Sequence, residues 1–242
     1  MKKMLIFVSI INLAFCQALN KDEIDLVPKK EFINLNDNSL FSSSTSTVIL
    51  NENKSIFLWS GGLKFGKSNH TGNLKMLNGS ITLDDNNISG AVVIDMQSLS
   101  NLDLPIGPNQ RLTSHLRSPD FFNVEKYPKA KLIIKSSKVL EKLDSGKYKM
   151  RINGDMTIKN KTNPITFEAI VDLDSNTKTA EGKLLFDRSD FNVQYRSEMH
   201  LSNPNSFWNK VQTSKDAAKD KVIRDIIEIN FNVVSLPGIL SK

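Results

Sequence analysis

The chain has 242 residues, 39% of them hydrophobic and 24% charged, with a formal net charge of +6, one cysteine and three histidines. That length suits a single large β domain of about 200 residues behind an export segment, while one cysteine excludes a disulfide framework. The lysines are interrupted by acids or apolar residues, as in KDKVIRD at 219–225, which excludes a continuous nucleic-acid track.

Residues 1–18 are expected to be a signal peptide. Lys2 and Lys3 form its charged end, Leu5 to Phe15 its apolar stretch, and Cys16 and Ala18 are small residues at a cleavage site. Leu13, Ala14, Phe15 and Cys16 outline a lipobox, but the bulky Phe15 stands where a small residue is required, so lipid anchoring at Cys16 is disfavoured. Removal of Lys2 and Lys3 leaves 30 basic against 26 acidic residues and no thiol, which excludes a cysteine nucleophile. The expected location is periplasmic or extracellular, with no later stretch apolar enough to span a bilayer. Residues 19–44 are polar and weakly patterned and are expected to be a flexible lead-in to an ordered domain over 45–236.

Period-two alternation then predicts strands over 56–60, 74–77, 80–83 and 90–96. A helical segment interrupts them. Asn109 is expected to cap a short helix in which Leu112 and Leu116 share one face and Arg111 and His115 an adjoining one. Ser118, Pro119 and Asp120 form a second helical start, which presents Phe121 and Phe122 side by side. Pro128 sends the chain back into strand. A polar, aromatic lid over about 109–123 is the result.

Further strands follow over 130–138, 148–158, 165–173, 179–186 and 226–234, and the spacing of Ala217, Ala218, Val222 and Ile223 predicts a short helix over 216–224. In the second of these strands Tyr148, Met150, Ile152, Gly154, Met156 and Ile158 alternate with Lys149, Arg151, Asn153, Asp155 and Thr157. One sheet face is dry. About eight such strands hide it by pairing two sheets or by closing a barrel, and the pattern alone leaves both open.

The run His115, Leu116, Arg117, Ser118, then Asp120, Phe121, Phe122, then Tyr127 and Pro128 resembles the most recognisable stretch of the YceI family of bacterial secreted proteins. DMQSL at 95–99, GDMTI at 154–158 with Asn163 and Pro164, and FDRSDF at 186–191 are similar to further family elements in the same order. The resemblance spans about 45–234. It departs from the family pattern at Asn123, where aspartate is usual, at Asn192, where glycine is usual, and in a longer segment over 201–220. It implies an all-β fold, an antiparallel eight-stranded lipocalin-like β-barrel with a short helical lid. It also implies a non-covalent isoprenoid ligand, such as a polyprenyl quinone or polyprenyl phosphate.

Arg111, His115, Asp120, Arg188 and Asp190 would be odd in a sealed core. As structural residues they would knit lid to barrel, Arg188 with Asp120 for example. As functional residues Arg111, His115 or Arg188 would stand at the mouth of an apolar bore and hold a polar head, since guanidinium suits diphosphate or carbonyl oxygen. Trp59, Phe121, Phe122, Phe191 and Tyr195 complete the candidate set as wall or lid. No metal site is expected, because His70, His115 and His200 are far apart and no HxH or HExxH spacing occurs. Ser114 and His115 do not face each other on a helix, and GxSxG is absent.

The expected function is to carry or sequester one long apolar molecule, without catalysis, cofactor or nucleic-acid partner, and with a homodimer allowed. Two rival readings stand beside it. One is a lipid-acting enzyme using His115. The other is a side-chain-filled barrel acting through its surface in envelope stress or attachment.

Overall fold

The computed structural model describes residues 45–65, 68–84, 87–143, 146–198 and 221–238. The expected signal peptide, the lead-in and the segment 201–220 lie outside the described residues.

Four strands, β1 (Ser46–Ile49), β2 (Ile56–Gly62), β3 (Asn69–Asp84) and β4 (Asn87–Asn101), precede the helix α1 (Ile106–Arg117). Five follow it: β5 (Lys129–Lys142), β6 (Lys147–Ile158), β7 (Lys161–Asp172), β8 (Thr179–Asp187) and β9 (Ile226–Val234). From β2 to β9 each strand pairs antiparallel with the next. The pairing of β2 with β9, from Ile56↔Asn232 to Ser60↔Glu228, closes the ring into an eight-stranded barrel. Closure leaves no edge strand in the ring of eight and settles the choice between barrel and sandwich.

β1 is a ninth strand that the alternation did not reveal. It pairs with the far half of β3, Ser46↔Leu83 to Ile49↔Ser80, and Leu50 bridges to Ser235 just beyond β9. β1 and β2 therefore occupy one interrupted stave of the wall. The jog between them is fixed by the Asn51 side-chain oxygen, which accepts the amides of Asn53 and Lys54.

The dry face lies inside. On β6, Met150, Ile152, Met156 and Ile158 are all buried, while Lys149 and Arg151 reach Glu168 on the outer surface of β7. The two segments expected over 74–77 and 80–83 are one long strand, because the chain crosses Asn78 and Gly79 without turning and absorbs two register shifts against β4. Such bulges bend a strand and increase its twist, as a closing wall requires. Gly90, at φ 143, lies so close to the Ser80 carbonyl that a Cβ there would collide with it.

The lid differs from expectation at both ends. α1 begins at Ile106 behind Pro105, which offers no side-chain cap, and Asn109 lies inside the first turn. There its side-chain Nδ2 donates to the Asn101 and Leu104 carbonyls, tying the helix to the end of β4. Ser118 ends α1, with its amide and hydroxyl both donating to the His115 carbonyl, and starts no second helix. The following residues form turns, because Asn123 takes a left-handed conformation, φ 48, and receives the Lys126 and Tyr127 amides on its carbonyl. Of the helix expected over 216–224, the described part shows Lys221 in a 3-10 turn and no helix from 222 to 224. Ile223 there bridges Leu63 and Ser197 in extended fashion, and residues 216–220 lie outside the described residues.

Candidate functional site: an apolar bore with a polar mouth

The barrel encloses a cavity of about 420 Å³, within the range of small-molecule sites. An eight-stranded barrel is just wide enough for side chains to fill it. Here Gly61, Ala130, Ala169 and Ala180 place minimal side chains on the lining, so the axis stays open between aliphatic walls such as Ile152, Leu184 and Ile229. Among the described residues the polar ones in the lining are few: Ser68, His70, Lys131, Lys178, Thr179 and Arg188.

Of the residues selected from the sequence, Trp59, Phe121, Phe122 and Arg188 line the cavity, and Arg111, His115, Phe191 and Tyr195 are not part of its lining. Trp59 is buried on β2 and donates its indole N–H to the Ser100 carbonyl at 3.0 Å. Its ring lies over Gly72, where a Cβ would collide with both the indole and that carbonyl. Leu112 and Leu116, four apart on α1, turn toward the cavity beside Phe121 and Phe122. Arg117 holds this face in place by donating from Nε and Nη2 to the Leu99 carbonyl, at 3.0 and 2.6 Å.

His115 stands behind the wall. Its ring meets Phe121 edge-on at 5.0 Å and Tyr195 at 4.7 Å, and its Nε2 lies 3.4 Å from Asp120. Arg111 is exposed on the outer side of α1. Phe191 is 2% exposed and fills the core against Phe186, at 5.6 Å and 86°.

Arg188 corrects the expected pairing with Asp120. It is 1% exposed, and its Nη2 lies 3.0 Å from Asp225 Oδ1. That contact lacks the alignment of a hydrogen bond, whereas Asp225 Oδ2 accepts the Ser197 hydroxyl at 2.6 Å. The guanidinium also donates to the carbonyls of Arg224, Val193 and Ile223 at 3.1, 2.7 and 3.2 Å. Burial pushes its pKa down, against the opposing charges of Asp225, Asp187 and Glu198. Arg188 therefore clamps the turn after β8 to the segment entering β9.

A second polar group at the cavity was not selected from the sequence. His70 Nδ1 lies 2.9 Å from Asp103 Oδ2, and Ser68 Oγ lies 3.3 Å from His70 Nε2. Asp103 is fixed by the Thr71 amide at 2.8 Å and the Asn101 side-chain amide. The sequence signal was the alternation of β3, which puts Ser68 and His70 on one face once the strand is extended back to Asn69. No group of three or more His, Cys, Asp or Glu side chains suited to a metal occurs among the described residues.

Among the described residues, four carboxylates carry lowered pKa values. Burial raises Asp103, but hydrogen bonds from His70, Thr71 and Asn101 outweigh it. Glu168 is lowered by Lys149 and Arg151, Asp172 by Ser175, and Glu228 by Asn230 and Lys183. A carboxyl whose pKa is lower folded than unfolded stabilises the fold above the ordinary carboxylate range, and that stabilisation is lost as pH falls through the lowered values. Stability measured by urea unfolding is expected to be flat with respect to these groups from pH 7 to about 5 and to decline below about pH 4. A stability that rose on acidification below pH 4 would contradict the assignment.

The model of the YceI-like domain matches residues 46–235. A UPF0312 protein of Vibrio parahaemolyticus is 34% identical over 101 residues, covering 40% of this chain and 48% of the relative. One of Photorhabdus laumondii is 35% identical over 98 residues, covering 40% and 46%. The matched stretch spans about half the length of these curated relatives. Among solved structures, a polyisoprenoid binding domain from Saccharophagus degradans implicated in plant cell wall breakdown superposes with a TM-score of 0.53 at 13% identity, covering 81% of this chain and 99% of that one. Burkholderia cenocepacia BcnA gives 0.48 at 18% identity, covering 77% and 99%. The barrel and the extent of the match make this chain a member of the YceI-like family.

Proposed function

We propose that this protein binds one long apolar molecule of isoprenoid type along the barrel axis and carries or sequesters it outside the cytoplasm, without chemical change. The observation that carries this reading is the bore itself. It is kept open by Gly61, Ala130, Ala169 and Ala180, with few polar side chains in its lining. Each methylene moved from water into such a lining contributes about 0.8 kcal/mol, so a chain of a few isoprene units offsets the ordering of its own tail and retains net affinity. The similarity to a domain described as polyisoprenoid binding supports the ligand class. The export reading rests on the charged and apolar pattern of residues 1–18.

The direct test is organic extraction of protein purified from its native host, followed by mass spectrometry. One apolar molecule per chain is the expected result. An isoprenoid at a hundredfold over its dissociation constant is further expected to stabilise the stripped protein by about 2.7 kcal/mol. An empty extract together with an unchanged melting temperature would favour the filled-barrel reading instead.

A further inference from the structure

We propose that the mouth of the bore selects an isoprenoid with an uncharged alcohol head, held between His70 and Ser68, over one ending in phosphate. This rests on the carrier reading and adds the chemistry of the head.

A phosphate needs a cation with donors to spare. Among the described residues three cationic ones, Arg188, Lys131 and Lys178, belong to the cavity lining, and none of these three offers this at the mouth. Arg188 is 1% exposed, commits three of its five donors to backbone carbonyls, and has its charge met by Asp225. Lys131 alternates on β5 with Ala130 and Leu132, both of which belong to the inner cluster, so its ammonium belongs to the outer face. Lys178 stands at the opposite end of the barrel, where its Nζ donates to the Leu173 carbonyl.

What the mouth does offer is a donor and an acceptor side by side. Asp103 accepts from His70 Nδ1, which places the proton of the neutral ring on Nδ1 and leaves Nε2 as an acceptor. Ser68 Oγ, 3.3 Å from Nε2, can both donate and accept. An alcohol oxygen satisfies the pair by inserting into this bond, donating its O–H to Nε2 in place of Ser68 while receiving the Ser68 hydroxyl. A quinone carbonyl uses only Ser68. A phosphate meets the Nε2 lone pair, with the Asp103 carboxylate behind the ring, and is repelled. Side-chain exposures of 27% and 32% for His70 and Asp103 place the pair at the rim, where a head can meet water and protein together.

The experiment uses full-chain protein stripped of lipid, with three probes of equal length: geranylgeraniol, geranylgeranyl monophosphate and the hydrocarbon without a head. Calorimetry is expected to rank the alcohol at least tenfold tighter than the phosphate. His70→Phe, which keeps a ring of similar bulk, and the milder Ser68→Ala are each expected to weaken alcohol binding by roughly fivefold to tenfold, the worth of about one hydrogen bond. Neither variant is expected to weaken hydrocarbon binding, so the ratio of alcohol to hydrocarbon affinity should fall in both. Phosphate binding as tight as alcohol, or alcohol affinity indifferent to both variants, overturns the assignment of the head while the carrier reading survives. Phosphate affinity that Lys178→Met abolishes would place the head at the other end of the barrel. Failure of all three probes to bind removes the carrier reading and this assignment with it.

Discussion

Arg188→Met is expected to lower the unfolding free energy by about 3–5 kcal/mol, measured as a fall in the urea midpoint at constant slope. The reason is the position of the charge rather than its distance from any ligand. Arg188 is 1% exposed and joins Val193, on the turn after β8, to Ile223, Arg224 and Asp225, on the segment that enters β9. Removing the guanidinium leaves the Asp225 carboxylate buried beside the Ser197 hydroxyl and strips three carbonyls of their donor. For a domain of this size the loss corresponds to roughly 10 °C in Tm.

The double variant Arg188→Met with Asp225→Asn separates this explanation from lost packing. Neutralising the carboxylate removes the stranded charge, so the second substitution is expected to recover part of the stability lost to the first. The two changes should therefore be non-additive by about 1–3 kcal/mol. A single-variant cost below about 1 kcal/mol would mean that water reaches Asp225 and that the clamp is ornamental. A clamp of this kind also predicts that Arg188→Met weakens lipid binding only as far as it loosens the end of the barrel, since the headgroup is assigned to other residues.

Strands whose two faces meet different solvents were legible. β6, β7 and β9 show strict alternation because one side is dry and the other wet along their whole length, and the expected 148–158 and 226–234 correspond to Lys147–Ile158 and Ile226–Val234. β3 was divided in two because Asn78 and Gly79 carry turn chemistry, while the bulges that absorb them depend on the partner strand. β1 was missed because STVI is short and follows a run of serines and threonines; its order comes from Ile81, Thr82 and Leu83, across the hairpin. The same limit applies to closure, which rests on the pairing of Ile56 with Asn232 and has no local signature. Only the family resemblance pointed to the barrel.

The site was legible to the extent that its residues act through size and polarity. Phe121, Phe122 and Trp59 were recognisable as wall or lid because large aromatics beside a helix and strand bury themselves. Partnerships were not recognisable. Asp120 is nearer to the lid motif than Asp225 and was the natural partner for Arg188, yet Asp120 lies beside His115 and Asp225 returns from the far side of the barrel. His70 drew attention only as a metal ligand, because Asp103 approaches it from the other end of the β3–β4 hairpin. A charge pair made by topology carries no sequence spacing to read.

Ala169→Trp is expected to reduce lipid binding at least a hundredfold while leaving the circular dichroism of the barrel unchanged. Ala169 is buried on β7, and its side chain belongs to the lining of the bore. An indole there blocks the axis to a guest chain, and excluding even four methylenes removes about 3 kcal/mol of transfer free energy, more than two decades in affinity. The stability of the stripped variant gives a second and independent reading. In a close-packed interior, forcing a large side chain in for a methyl costs about 1–3 kcal/mol through strained rotamers and displaced backbone. In a bore of about 420 Å³ the indole enters space already open, so the cost is expected to fall below that range, and new apolar burial offsets it. A filled barrel and a hollow one therefore respond oppositely: the first loses stability and has no lipid to lose, and the second loses lipid and keeps its stability. Full retention of an extracted isoprenoid by Ala169→Trp would mean that the ligand does not run along the barrel axis.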